Sequence, residues 1–192
     1  MTVLDIPDAV KERTAGGFAR LVTEACAASA AAADWRLRPS ADGFQPWFWV
    51  FHAQARPPAQ GWKLHVSATV ASAADVLRAT LPVLLSDSAS FKLADSLAAL
   101  SDLNEGNGGP SQVGKFITIY PNDDAQAVRL AIALDEATRG LAGPVIASDR
   151  QLQPGSRVSY RYGGFKQELM QTPIGEVLPA LRAPDGGLVP DR

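Results

Sequence analysis

In 192 residues the chain has one cysteine, Cys26, and two histidines, His52 and His65. A lone thiol closes no intramolecular disulfide, and so few soft ligands make a zinc centre an unlikely use of the sequence. Cations are not in excess: 18 Lys and Arg stand against 20 Asp and Glu, a formal charge of -2, with a pI near 5.7. A nucleic-acid binder that works by broad phosphate neutralisation would carry a clear basic surplus, so no nucleic-acid partner is expected and any anion site must be local. No apolar run approaches the roughly 20 residues that span a bilayer. The start Met1-Thr-Val-Leu-Asp5 lacks the basic then apolar pattern of a secretory signal. The expected location is cytoplasmic, with no membrane partner.

What is present describes one globular domain: 46% apolar and 20% charged residues, and a length that suits a single core. Asp8 to Ala33 is rich in Ala, Leu, Lys and Glu, and Val10, Phe18, Leu21, Val22 and Ala25 recur at helical spacing, which predicts a long helix. Trp35–Arg38 and Pro46–Phe51 read as strands joined by a turn over Pro39 to Gly43, and Trp62–Ala68 as a third strand after the break at Pro57-Pro58. Ser72 is placed to cap a helix over Ala73–Leu85. Ser90–Ala94 reads as a strand, Asp95–Leu103 as a helix, Lys115–Tyr120 as a strand, Pro121–Thr138 as a helix and Val158–Phe165 as the last strand. A glycine-rich loop, Asn104 to Gly114, precedes Lys115, and Thr172 to Arg192 is rich in Pro and Gly, as in an edge segment or linker. Mixed helices and short strands without an internal repeat predict an α+β fold with a largely antiparallel sheet and flanking helices.

Several cations fall on the predicted strands: Lys63, Lys92, Lys115 and Arg161, with His65 beside the first. A single strand lysine commonly marks a solvated face or a protected edge. Lys63-x-His65 is more specific. Residues two apart point to the same face, so a cation and a titratable imidazole share one side of the strand, about 7 Å apart. His52 has no such companion and reads as a packed or surface residue.

Gly61-Trp-Lys-Leu-His-Val-Ser-Ala-Thr69, Phe91-Lys92, Gly114-Lys-Phe-Ile-Thr-Ile-Tyr-Pro121, Gly143-Pro144 with Ser148-Asp149, and Tyr160-Arg-Tyr-Gly-Gly-Phe165 together resemble the N-terminal phosphoserine/phosphothreonine lyase domain of class III lanthipeptide synthetases. That domain is in turn similar to the bacterial effector phosphothreonine lyases. Pro184 to Arg192 resembles the segment leading into the kinase domain of those synthetases. The resemblance implies an effector phosphothreonine lyase-like fold, a lyase domain over residues 1–175 and a C-terminal linker over 176–192, ahead of a kinase that this sequence does not contain. A truncated synthetase and a stand-alone partner both fit that ending. It also implies that Lys92 removes the α-proton, that His65 protonates the departing phosphate, and that Lys63, Lys115 and Arg161 hold that phosphate. The implied substrate is a phosphorylated precursor peptide, the product dehydroalanine or dehydrobutyrine, and the implied partners are kinase and cyclase domains or proteins. Neither a cofactor nor a metal is implied.

The residue types suit this chemistry. An α-proton beside an amide is a weak acid, so β-elimination needs a placed base and stabilisation of developing charge. Nearby cations and burial depress a lysine pKa and favour the neutral amine, a bound phosphate dianion pulls the other way, and an arginine fork matches phosphate oxygens. Tyr162, adjacent to Arg161, faces the other way and receives no role. One departure stands out: where the family usually has an arginine four residues before the glycine of Gly-Lys-Phe, this sequence has Pro110, and Asn104 to Gly114 contains no cation. Arg157 or Lys166 is a candidate substitute. A non-catalytic phosphopeptide or leader-peptide binding module with the same fold is the alternative reading. No kinase ATP loop or His-Arg-Asp signature is present, and a hydrolase would want a metal cluster or an activated nucleophile.

Overall fold

A computed structural model of the protein describes residues 17–39 and 46–191. Seven strands form the main sheet: β1 (Trp35–Arg38), β2 (Trp47–His52), β3 (Gln60–Val66), β4 (Ser90–Ala94), β5 (Ile117–Tyr120), β6 (Arg150–Gln151) and β7 (Val158–Gly164), in the order β1-β2-β4-β5-β3-β7-β6. Every pairing in it is antiparallel. Among the described residues four helices accompany it: α1 (Gly17–Ala28), α2 (Ala73–Ser86), α3 (Leu97–Glu105) and α4 (Asp124–Ala137). The fold is α+β, as the sequence predicts.

Alternation along the central strands explains the layering. Phe48 and Val50, Phe91 and Leu93, Ile117 and Ile119, Leu64 and Val66 are all buried, and each pair is two residues apart, so all lie on one face. They share a core with Val76, Leu77, Leu81 and Leu84 of α2 and Leu130 and Leu134 of α4. Removing such a side chain from water contributes about 1.5–3 kcal/mol each. With this face committed to packing, the opposite face of the same strands is left for polar work. A one-residue slip of any strand would exchange the two sets.

The helix ends follow local chemistry. Asp123 accepts from the Gln126 N–H at 2.7 Å to start α4, and the Gln126 side chain accepts from Asn122 N–H at 2.7 Å. Ser96 caps α3 through Ala99 N–H, and Gly106, with φ 90°, closes it. Ser72 precedes α2 without capping it: its hydroxyl instead donates to Ala142 O at 2.6 Å and accepts from Thr69 N–H at 3.0 Å. Helix α1 ends earlier than predicted. It ends at Ala28, where Ser29 turns its hydroxyl onto Cys26 O, and a 3₁₀ turn over Ala32–Asp34 leads into β1. Residues 8–16 of that predicted helix, and residues 40–43 of the Pro39 to Gly43 turn, lie outside the described residues.

The segment expected as a linker carries secondary structure. Strands β8 (Leu169–Gln171), β9 (Val177–Arg182) and β10 (Leu188–Pro190) form a small antiparallel sheet. Gln60 clasps it to the main sheet by donating to Arg182 O at 2.9 Å and accepting from Arg182 N–H at 2.7 Å.

The loop after α4 packs tightly against the end of β3. A Cβ on Gly143 would lie 2.6 Å from Ser67 Oγ and 2.8 Å from Ser67 O, two residues beyond His65. Gly143→Ala is therefore expected to cost about 1–3 kcal/mol through overpacking, read as a lower denaturation midpoint in urea. An unchanged midpoint would contradict the close packing.

Candidate active site

Cross-strand register brings the cations together. Trp49 pairs with Lys92, Lys92 with Thr118, Thr118 with His65 and His65 with Ser159, so five residues from β2, β4, β5, β3 and β7 form one continuous row. Lys92 and His65 are thus two strand spacings apart, about 10 Å between backbones, with Thr118 between them. Two residues along, Lys63 pairs with Arg161 on the same face. Thr118 is buried, and its hydroxyl has no hydrogen-bond partner among the described residues.

Lys115 reaches the site by a different route from the one predicted. The strand begins at Ile117 rather than Lys115, and Lys115 follows Gly114, whose φ of 79° belongs to the left-handed region. Three residues separate Lys115 from Thr118, so a regular strand would turn it to the far face. The irregular backbone at Lys115-Phe116 releases it from that alternation. Its Nζ lies 3.0 Å from Asp149 Oδ1, and the other carboxylate oxygen of Asp149 contacts His65 Nδ1. All three side chains are almost fully buried.

Asp149 is the buried partner of this cluster to which the sequence alone assigns no role. Ser148-Asp149 belongs to one of the matched motifs, and the signal was electrostatic: a buried lysine needs a nearby counter-charge. The two tryptophans of β2 were read only as strand formers. Lys92 Nζ lies 4.0 Å from the Trp47 ring centre and 5.1 Å from that of Trp49. Trp49 in turn stacks on Phe51 and Tyr120, giving the Lys92 amine an aromatic wall.

Other candidates sort by position. His52 is buried on the opposite face of β2, edge-on to Trp35 at 4.7 Å, in agreement with a packing role. Tyr162 points away from Arg161 and packs against Trp62 at 5.4 Å. The Arg157 guanidinium donates to Gly143 O and to Gly155 O, the latter at 2.8 Å, so it fastens loops instead of standing free to replace a loop arginine. Lys166 is exposed, beyond the end of β7. Pro110 begins an exposed 3₁₀ turn next to Ser111, whose carbonyl accepts from Ser148 at 3.4 Å.

Burial and mutual repulsion set the protonation states. Burial, then Lys63 and Lys115, lower the Lys92 pKa from 10.5 to about 7. That change corresponds to roughly 5 kcal/mol, whereas an aromatic face favours an ammonium by about 0.5–2 kcal/mol, so desolvation wins and a neutral amine is accessible near pH 7. Burial and Arg161 lower Lys63 to about 8, with Asp191 opposing them. Burial of Asp149 would raise its pKa, but hydrogen bonding and charge from His65 and Lys115 hold it well below the carboxylate range. Burial pulls His65 down to about 4 against the Asp149 hydrogen bond. Because Lys115 already balances the carboxylate, a neutral imidazole carrying its proton on Nδ1 satisfies the site, and Nε2 is the nitrogen not held by Asp149.

The architecture is shared with solved phosphothreonine lyases. The type III effector phosphothreonine lyase OspF of Shigella flexneri aligns over 73% of this chain and 74% of its own at 15% identity, TM-score 0.55. The phosphothreonine lyase SpvC of Salmonella aligns over 83% and 77% at 16% identity, TM-score 0.53. At such identities the likeness is one of fold. Membership is carried by sequence: the chain belongs to the RamC N-terminal domain family, whose model matches residues 23–192. It is also 36% identical over 187 residues to the probable SapB synthase of Streptomyces coelicolor, a match spanning 97% of this chain and 19% of that protein. Among the described residues, no helix is long and apolar enough to cross a membrane.

The lowered lysine values carry a sign for stability. With folded pKa values of about 7 for Lys92 and about 8 for Lys63 against 10.5 for the free group, the unfolded chain binds more protons throughout that interval. Stability therefore climbs as pH rises from 7 towards 10, and is lost as pH falls back through it. Urea titrations should show this rise, and Lys92→Met should flatten part of it; the same slope in the variant would contradict the burial argument.

Proposed function

We propose that the domain eliminates phosphate from phosphoserine or phosphothreonine in a ribosomally made precursor peptide, leaving dehydroalanine or dehydrobutyrine. The observation that carries this reading is the row Lys92-Thr118-His65 with the Lys63–Arg161 pair beside it. In the proposed reaction neutral Lys92 takes the proton from Cα. The electrons of that C–H bond form the Cα=Cβ double bond, the Cβ–O bond breaks, and the phosphate leaves with the proton that His65 Nε2 has taken up from solvent on substrate binding, which returns His65 to the neutral imidazole. Lys63, Arg161 and Lys115 balance the phosphate charge.

His65, neutral in the empty site, becomes the acid by gaining a proton at Nε2 when the phosphate binds. The phosphate dianion lies at the β3–β7 end of the row, beside Lys63 and Arg161. There it acts strongly on His65, two residues from Lys63, and more weakly on Lys92, two strands away. Substrate binding thus raises the acid's pKa more than the base's, which separates the two protonation states in the direction that the reaction needs. The substrate supplies the charge that arms its own acid.

One observation favours the second reading, a phosphopeptide-binding module without turnover. The turn at Pro110 brings no cation towards Asp149, and Arg157 is engaged elsewhere. Incubation with a phosphorylated precursor peptide separates the two by mass spectrometry. Loss of phosphoric acid is expected, reduced about 10²- to 10⁴-fold by Lys92→Ala. A phosphopeptide that binds and stays intact would select the binding module. If turnover is slow, Pro110→Arg should raise it, and no gain would exclude the missing loop cation as the cause.

A further inference from the structure

The cationic pair has a neighbour from the end of the chain. Asp191, one residue beyond β10, places Oδ1 3.5 Å from Arg161 Nη1, and its Oδ2 accepts from Gly164 N–H at 3.0 Å. Its own N–H donates to Pro179 O at 2.9 Å. The Asp191 carboxylate is 9% exposed and the Arg161 side chain 19%. The aspartate is therefore anchored at both its backbone and its side chain, and it is not a loose tail that happens to lie near.

Glycines clear the way for this approach. A Cβ on Gly163 would lie 3.3 Å from Asp191 Oδ1 and 3.5 Å from Arg161 Nη2, between the two partners. Gly163 pairs with Gly61 two residues beyond the Lys63–Arg161 pair, on the same face. The Gly-Gly of Tyr160-Arg-Tyr-Gly-Gly-Phe165 thus has a physical use: it admits the carboxylate to the edge of the cation cluster.

We infer that Asp191 is a positioning residue of the phosphate site, fixing the Arg161 guanidinium beside Lys63. This rests on the lyase reading for the identity of the anion. The contact engages Nη1. Nε, buried and without a partner among the described residues, then forms with Nη2 the side-on fork that matches two phosphate oxygens. A free arginine side chain would have to lose its rotamer freedom on binding; a held one has lost it beforehand. The segment expected as a linker is accordingly part of the site.

Asp191→Ala is expected to raise KM for a phosphopeptide about tenfold, with a smaller change in kcat, and to weaken binding of inorganic phosphate measured by calorimetry. Asp191→Asn keeps the side chain's shape and its bond to Gly164 N–H but not its charge, and because Asp191 Oδ1 has no hydrogen-bond partner among the described residues, it should restore only the part of the affinity that does not come from the ion pair. Gly163→Ala should reproduce the loss with every charge retained. Tighter phosphate binding in Asp191→Ala, or a loss of thermal stability with no change in affinity, would overturn the inference. In the unliganded chain the Lys63 titration followed by NMR should move below about 8 when the carboxylate is removed. That readout needs neither turnover nor ligand: a chain that never eliminates phosphate defeats the lyase reading, whereas an unmoved Lys63 defeats this one.

Discussion

Everything at this site depends on Asp149, a carboxylate buried between a lysine and a histidine. Burying Lys115 alone would cost several kcal/mol or force it to lose its proton. Burial lowers the Lys115 pKa and Asp149 opposes that shift, while the second carboxylate oxygen contacts His65 Nδ1 and leaves Nε2 as the nitrogen not held by it. The same anion offsets part of the repulsion among Lys63, Lys115 and Arg161. Gly143, packed on Ser67, and Arg157, bonded to Gly143 O, hold the loop that delivers it.

The sheet divides the labour by strand. Cations for an anion collect on β3 and β7, the tryptophan-flanked amine stands on β2 and β4, and β5 separates them with Thr118. In the proposed reaction this separation lets one dianion act unequally on two titrating groups. Antiparallel register is what makes it possible: the row holds only while each strand keeps its apolar residues on the helix-covered face, so the core and the site are specified by the same alternation.

Where alternation governs, the sequence was legible. Ser90–Ala94 was read to the residue because small and apolar positions are bounded by turns, and Lys63-x-His65 declared a shared face from spacing alone. Lys115 was misread as a strand residue because Gly114 and the irregular backbone after it interrupt the period just where the side chain is redirected. Asp149 could not be paired with His65 by spacing, since the contact is made by a loop far along the chain. The tail is legible only in part. Its Pro and Gly content fits an edge segment or a linker, and Asp185-Gly186 is the hairpin signal that separates the two: Gly186 at φ 86° turns β9 into β10.

The central claim is that phosphate leaves by cleavage of the carbon–oxygen bond on the substrate side. Running the reaction on a phosphoserine peptide in heavy-oxygen water tests it directly. The account predicts released phosphate without solvent oxygen and a peptide carrying dehydroalanine. Labelled phosphate together with a serine peptide would mean hydrolysis at phosphorus and would contradict it.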